Sequence, residues 1–122
     1  MKLLLGVGGS EDSLTALERT VERVAETGDA LTVVVLDNPT TDTPPSEIER
    51  QVREALDAAG VDAAVRRLDG DPGSRLVEVA EDEQYDRIVL GGGETSPMGK
   101  IKIGSIAEFV LLNSHVSVTL IR

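Results

Sequence analysis

Two apolar runs in this chain, Lys2 to Val7 and Arg87 to Leu90, each stop at a cluster of glycines, Gly6-Val7-Gly8-Gly9 and Gly91-Gly92-Gly93. Neither run alternates polar with apolar residues. A strand of that kind is buried on both faces, as in a parallel sheet covered by helices. Parallel neighbours cannot be joined by a tight hairpin; they need crossovers, usually helical and right-handed. The segments between the apolar runs must therefore supply helices, and their periodicity does so.

Leu14, Leu17, Val21 and Val24 recur at helical spacing with Glu18, Glu22 and Glu26 on the outer face, Ser10 as the cap and Gly28 as the stop. Leu31 to Leu36 is a second buried strand, rich in β-branched residues. Residues 37–45 hold three prolines and three threonines and read as a loop. Ser46-x-x-Glu49 reads as a capping box for a helix through Ile48, Val52, Leu56 and Ala59 to Gly60. Val61 to Leu68 carries Asp62, Arg66 and Arg67, charges that suit an edge strand. Asp71-Pro72 is an N-cap followed by proline at the first helical position, and Leu76, Val77, Val79 and Ala80 supply the buried face of a helix ending near Tyr85. Asp86 to Leu90 is the fourth strand. Residues 94–103 read as a loop, a final helix through Ile106, Phe109, Val110 and Asn113 opens at Gly104-Ser105, and Val116 to Ile121 alternates as a second edge strand.

The alternation predicts an α/β fold: a five-stranded parallel sheet of order 3-2-1-4-5 with helices on both faces, in a single domain over residues 1–122. Strands 1 and 4 then meet at the switch point, where open α/β sheets bind ligands. Both glycine clusters stand at the C-terminal ends of those two strands. Glycines let the backbone approach a ligand, and a helix N-terminus such as Gly104-Ser105 offers unpaired N–H groups to an anion. A phosphate cradle and a mere tight turn are both compatible with that spacing.

Composition narrows the chemistry. There is no cysteine, so disulfides, thiol catalysis and thiolate zinc sites are excluded. His115 is the one histidine, between the last helix and last strand, and reads as a turn residue without a metal or catalytic role. Gly6-x-Gly8-x-x-Glu11 lacks the third glycine of a dinucleotide fingerprint, and no P-loop motif occurs. The formal charge is −10, and it is uneven: residues 1–90 hold 20 acids and 9 bases, whereas residues 91–122 hold two acids and three bases. Such a body repels nucleic acid and anionic lipid. With no apolar run of membrane-spanning length and no signal-peptide pattern, a soluble cytoplasmic protein is expected. Three lysines against nine arginines and 22 acids resemble the bias of proteins from salt-loving organisms.

The run Gly91-x-x-Glu94-x-Ser96-Pro97-x-Gly99-x4-Gly104-Ser105 resembles the nucleotide loop of the universal stress protein A family, in which a glycine, two residues, a glycine and nine residues precede Gly-Ser or Gly-Thr. Gly6-Val7-Gly8-Gly9-Ser10 with Ser13-Leu14, and Val116-Ser117-Val118-Thr119-Leu120-Ile121 at the end, extend the resemblance to the whole chain. It implies a Rossmann-like, adenine nucleotide alpha hydrolase-like fold, and an adenine nucleotide (ATP or AMP, with Mg2+ as an accompanying ion) held between strands 1 and 4. The implied contacts are Gly6, Val7, Gly8, Leu36, Leu90, Gly91, Gly93, Ser96, Gly104, Ser105 and Ile106, with adenine at the Leu36-Asp37 backbone and phosphates on the glycines and Gly104-Ser105. It further implies a stress-response or regulatory role and a homodimer through Val116–Ile121.

Two positions depart from the family pattern: Glu94 replaces the second glycine, and Gly8 replaces the Asp that commonly ends the first strand. A carboxylate beside a triphosphate costs about a kcal/mol or more unless paired; Lys100 and Lys102 could offset it. These departures favour the rival reading, a non-nucleotide-binding dimeric interaction protein of the same family. A metal-binding acid and a general base are not evident, so weak ATP hydrolysis is the most that an enzymatic reading expects. A phospho-acceptor receiver domain needs an acidic cluster after strand 1, where this chain has Gly8-Gly9.

Overall fold

The computed structural model describes residues 1–38, 41–95, 98–99 and 101–122, with the backbone alone at residues 94–95 and 101–102. The elements run β1 (Lys2–Val7), α1 (Glu11–Thr27), β2 (Ala30–Val35), α2 (Pro45–Ala59), β3 (Ala64–Arg67), α3 (Pro72–Asp82), β4 (Arg87–Gly91), β5 (Glu94–Thr95), β6 (Ile101–Lys102), α4 (Ser105–Asn113) and β7 (Ser117–Ile121). Five strands form a parallel sheet in the order β3-β2-β1-β4-β7, the expected 3-2-1-4-5.

Period-two alternation of side chains divides the sheet between two cores. Leu3, Leu5, Val7, Val33, Val35 and Val89 face α1 and α2, meeting Leu17, Val21, Ile48 and Val52. Leu4, Val34, Ile88 and Leu90 face α3 and α4, meeting Leu76, Val79, Ala107 and Val110. β1, in the middle, is buried along its length after Lys2, which is why it reads as an unbroken apolar run.

Local differences from the sequence reading have identifiable causes. The capping box is not formed: α2 starts at Pro45 with Pro44 as cap, and no side chain caps it. Two consecutive prolines fix φ at the helix entry and remove two of the four unpaired N–H groups of a helix start, and Glu47 N–H bonds to the Pro44 carbonyl at 3.0 Å, which lessens the need for a side-chain acceptor. Glu49 instead accepts from Arg67 on β3 at 3.0 Å and from Arg53 at 3.3 Å. Ser10 occupies the N-cap of α1, yet its carbonyl, not its hydroxyl, does the bonding, accepting from Leu14 N–H and from the Ser13 hydroxyl. Asp71 caps α3 as expected, its carboxylate accepting from Ser74 N–H at 3.0 Å. The third strand is shorter than Val61–Leu68, because only Ala64–Arg67 pairs with β2. The stretch read as a loop contains a small antiparallel ribbon, Glu94 paired with Lys102 and Thr95 with Ile101.

Candidate functional site

The C-terminal ends of β1 and β4 open into a cavity of about 500 Å3, within the range of small-molecule sites. Its apolar wall comes from Leu36, Leu90, Ile103, Ile106 and Ala107, and its polar rim from Ser10, Asp12, Ser13, Asn38 and Ser105. Gly6 forms part of the floor. A Cβ there would stand 2.8 Å from Leu90 Cδ2 and 3.1 Å from Leu36 Cδ1, so the floor is closed by leucines meeting over a bare backbone.

The glycine turn after β4 is held from two sides. Gly92 N–H donates to the Ile121 carbonyl of β7 at 2.7 Å, and Gly93 N–H donates to Asp12 Oδ2 at 2.9 Å. Asp12 is the second residue of α1, where the helix dipole favours a negative side chain. The N–H groups of Gly92 and Gly93, two of the three glycines on which the family resemblance places phosphates, thus already have protein acceptors.

The start of α4 is different. Its first helical bond is from Glu108 N–H to the Gly104 carbonyl, 3.0 Å, so the amides of Ser105, Ile106 and Ala107 have no acceptor within the helix. Gly104 is the N-cap and supplies no side-chain acceptor to them. All four residues line the cavity. This is the anion-receptive end.

At Gly8, where the family resemblance has Asp, an added Cβ would lie 3.1 Å from Asn38 Nδ2. Asn38, just past β2, therefore packs over this corner, and an amide stands beside it in place of a carboxylate.

Of the residues implied by the resemblance, Gly6, Gly8, Leu36, Leu90, Gly91, Gly93, Gly104, Ser105 and Ile106 line the cavity. Val7 does not: its side chain is fully buried against α1 and α2. Ser96, Pro97 and Lys100 lie outside the described residues. Sequence reasoning missed Ser10, Asp12, Ser13, Asn38, Ile103 and Ala107 as lining residues; Asp12 and Asn38 each follow a strand end by a few positions, which was their one signal. His115 lies apart from the cavity, solvent-exposed, with Nδ1 2.8 Å from Glu81 Oε1. Among the described residues no three His, Asp or Glu side chains converge as metal ligands, and Asp12 is the sole carboxylate among those lining the cavity. Among the described residues a divalent cation would find one carboxylate here, so a Mg2+ ion would draw the rest of its shell from neutral oxygens and ligand phosphates. Among the described residues no helix is long and apolar enough to cross a membrane.

The sequence model of the universal stress protein family matches residues 1–122. A universal stress protein of Methanocaldococcus jannaschii is 32% identical over 76 residues, 62% of this chain and 45% of that protein, so the match spans just under half of the relative's length. Among solved structures, a universal stress protein in complex with cAMP superposes with a TM-score of 0.75 at 25% identity, covering 99% of this chain and 96% of that one. The universal stress protein from Archaeoglobus fulgidus in complex with dAMP gives a TM-score of 0.71 at 20% identity, covering 100% of this chain and 98% of that one. With the strand order, the crevice and a family match along the entire sequence in agreement, the chain belongs to the universal stress protein family.

Proposed function

We propose that the cavity between β1 and β4 binds an adenine nucleotide, and that the protein serves as a cytoplasmic regulatory module of the stress response. One observation carries this reading: an apolar slot, Leu36 and Leu90 among its walls, is continuous with the open amides at the start of α4. A flat base suits the first and a phosphate the second. Two structurally similar proteins were solved with cAMP and with dAMP, which supports an adenine ligand here. Base recognition falls to the backbone at Leu36-Asp37, and phosphate binding to Gly104, Ser105 and Ile106. The test is mass spectrometry of natively purified protein together with calorimetric titration of AMP. Bound adenine nucleotide, or AMP binding that weakens about tenfold or more in Ser105→Pro, is the expected result; absence of both overturns the reading. Proline at Ser105 removes one of the amides while suiting the first position of a helix.

A homodimer through the last strand belongs to the same proposal. β7 is an edge of the sheet, paired on one side with β4 and carrying no charged residue. Near it α4 exposes Leu111 and Leu112. The opposite edge, β3, is guarded by Arg66 and Arg67 in ion pairs with Glu83 and Glu49.

A further inference from the structure

We infer that Asp12 sets the charge class of the ligand: it restricts the cavity to adenine ligands bearing at most one phosphate and turns polyphosphates away. The inference rests on the nucleotide reading above and concerns its selectivity. Three observations on the cavity carry it. First, the Asp12 carboxylate lines the cavity and accepts from Gly93 N–H at 2.9 Å, so the glycine arm presents an acceptor where a phosphate needs a donor. Second, Gly92 N–H is bonded to the Ile121 carbonyl at 2.7 Å, so it does not replace the lost donor. Third, none of the described lining residues is a lysine or arginine, so the Asp12 charge has no cationic neighbour among them to share with a ligand.

Asp12 is also held firmly. Its backbone and carboxylate pack against Gly91, within 2.7 Å of where a Cβ would be, and the carboxylate spans from α1 to the loop. Further phosphates extending along the glycine arm would have to break the Asp12–Gly93 bond or lie beside a carboxylate with like charge. One phosphate at the amides of Ser105, Ile106 and Ala107 avoids both penalties. Among the described residues the cavity thus offers backbone donors at the start of α4 and, at the glycine arm, a carboxylate acceptor.

The test is calorimetric titration of the full chain with adenosine, AMP, ATP and ATP with Mg2+, comparing wild type with Asp12→Asn. Asparagine preserves the shape and an oxygen acceptor for Gly93 N–H while removing the charge; Asp12→Ser makes the same comparison should the first variant not fold, as judged by circular dichroism and a cooperative melt. Wild type is expected to bind AMP at least about tenfold more tightly than ATP, and Asp12→Asn to close most of that gap by strengthening ATP, with AMP changing by less than about threefold. Equal binding of AMP and ATP by wild type overturns the inference, as does a gap that persists in both variants. ATP binding that requires Mg2+ and is lost in Asp12→Asn also overturns it, since Asp12 would then be a metal ligand. If neither protein binds adenosine, AMP or ATP, the nucleotide reading itself fails and the inference falls with it, an outcome distinct from unselective binding.

Discussion

Gly91 leaves no space for a side chain, because Asp12 fills it: an added Cβ would stand 2.7 Å from the Asp12 carbonyl carbon and 2.8 Å from its carbonyl oxygen. The obstruction is backbone, so no rotamer change relieves it. The contact draws the first turn of α1 onto the end of β4 and shapes one wall of the cavity.

Gly91→Ala is accordingly expected to destabilise the fold by about 1–3 kcal/mol, as overpacking in a closed site does. Urea unfolding checks it. An unchanged midpoint would show that α1 and β4 separate at this point without cost.

Tyr85 is buried and its hydroxyl donates to Thr32 Oγ1 at 2.9 Å, tying the start of β4 to β2 across β1. Tyr85→Phe keeps the ring and removes that bond. A loss of about 1 kcal/mol is expected in the same unfolding experiment; a loss near zero would mean that water replaces Thr32 without penalty.

The Asp71 carboxyl is held below the usual carboxylate range, first by the Ser74 backbone N–H and then by the Ser74 hydroxyl. A depressed pKa contributes stability above the unfolded-state value, about 3.9, and that contribution is lost as pH falls through the folded value. The stability difference between wild type and Asp71→Ala should therefore be constant from neutral pH down to roughly 5 and shrink below about 4. A difference that grows toward low pH would contradict the cap as its source.

Many arginines are committed to surface ion pairs, among them Arg50 with Glu47 and Glu54, Arg66 with Glu83 and Arg75 with Glu78. Exposed pairs of this kind contribute little, and 22 acids against 12 bases leave a net repulsion over the chain as a whole. Melting temperature is expected to rise as potassium chloride is raised to molar concentration, through screening. A flat profile would remove the case for adaptation to salt.

β7 leaves backbone donors and acceptors open along an uncharged edge, and pairing with its own copy about a two-fold axis is the simplest cover. Ser117 is exposed at the start of the strand, so Ser117→Lys places like charges at the proposed interface while sparing the core; Val118→Lys does so one residue further along, where Val118 packs in part on the α3/α4 core. Light scattering at micromolar concentration should report a dimer for wild type and a folded monomer for either variant. A monomeric wild type, or variants that stay dimeric, would place the interface elsewhere.

The apolar runs of β1, β2 and β4 determined the layered α/β fold before any coordinates, because a strand buried on both faces leaves no polar positions to write. Charged β3 and alternating β7 determined which strands were edges, and from these the order 3-2-1-4-5 and the location of the crevice followed. Gly28 and Gly60 as helix stops and Asp71 as a cap were legible for the same reason: each acts on backbone a few residues away. The Ser46/Glu49 box does not form because Pro44 and Pro45 start the helix before Ser46, and Glu49 is left to pair with Arg67, which only folding brings near. The character of the cavity was likewise decided by tertiary structure. The glycines after β4 announce a cradle, but Asp12, 81 positions from Gly93 in sequence, turns one of their N–H donors inward, and Asn38 comes over Gly8 from the end of another strand. Spacing along a chain fixes which backbone groups a turn exposes; it carries no record of which distant side chain arrives to bond them.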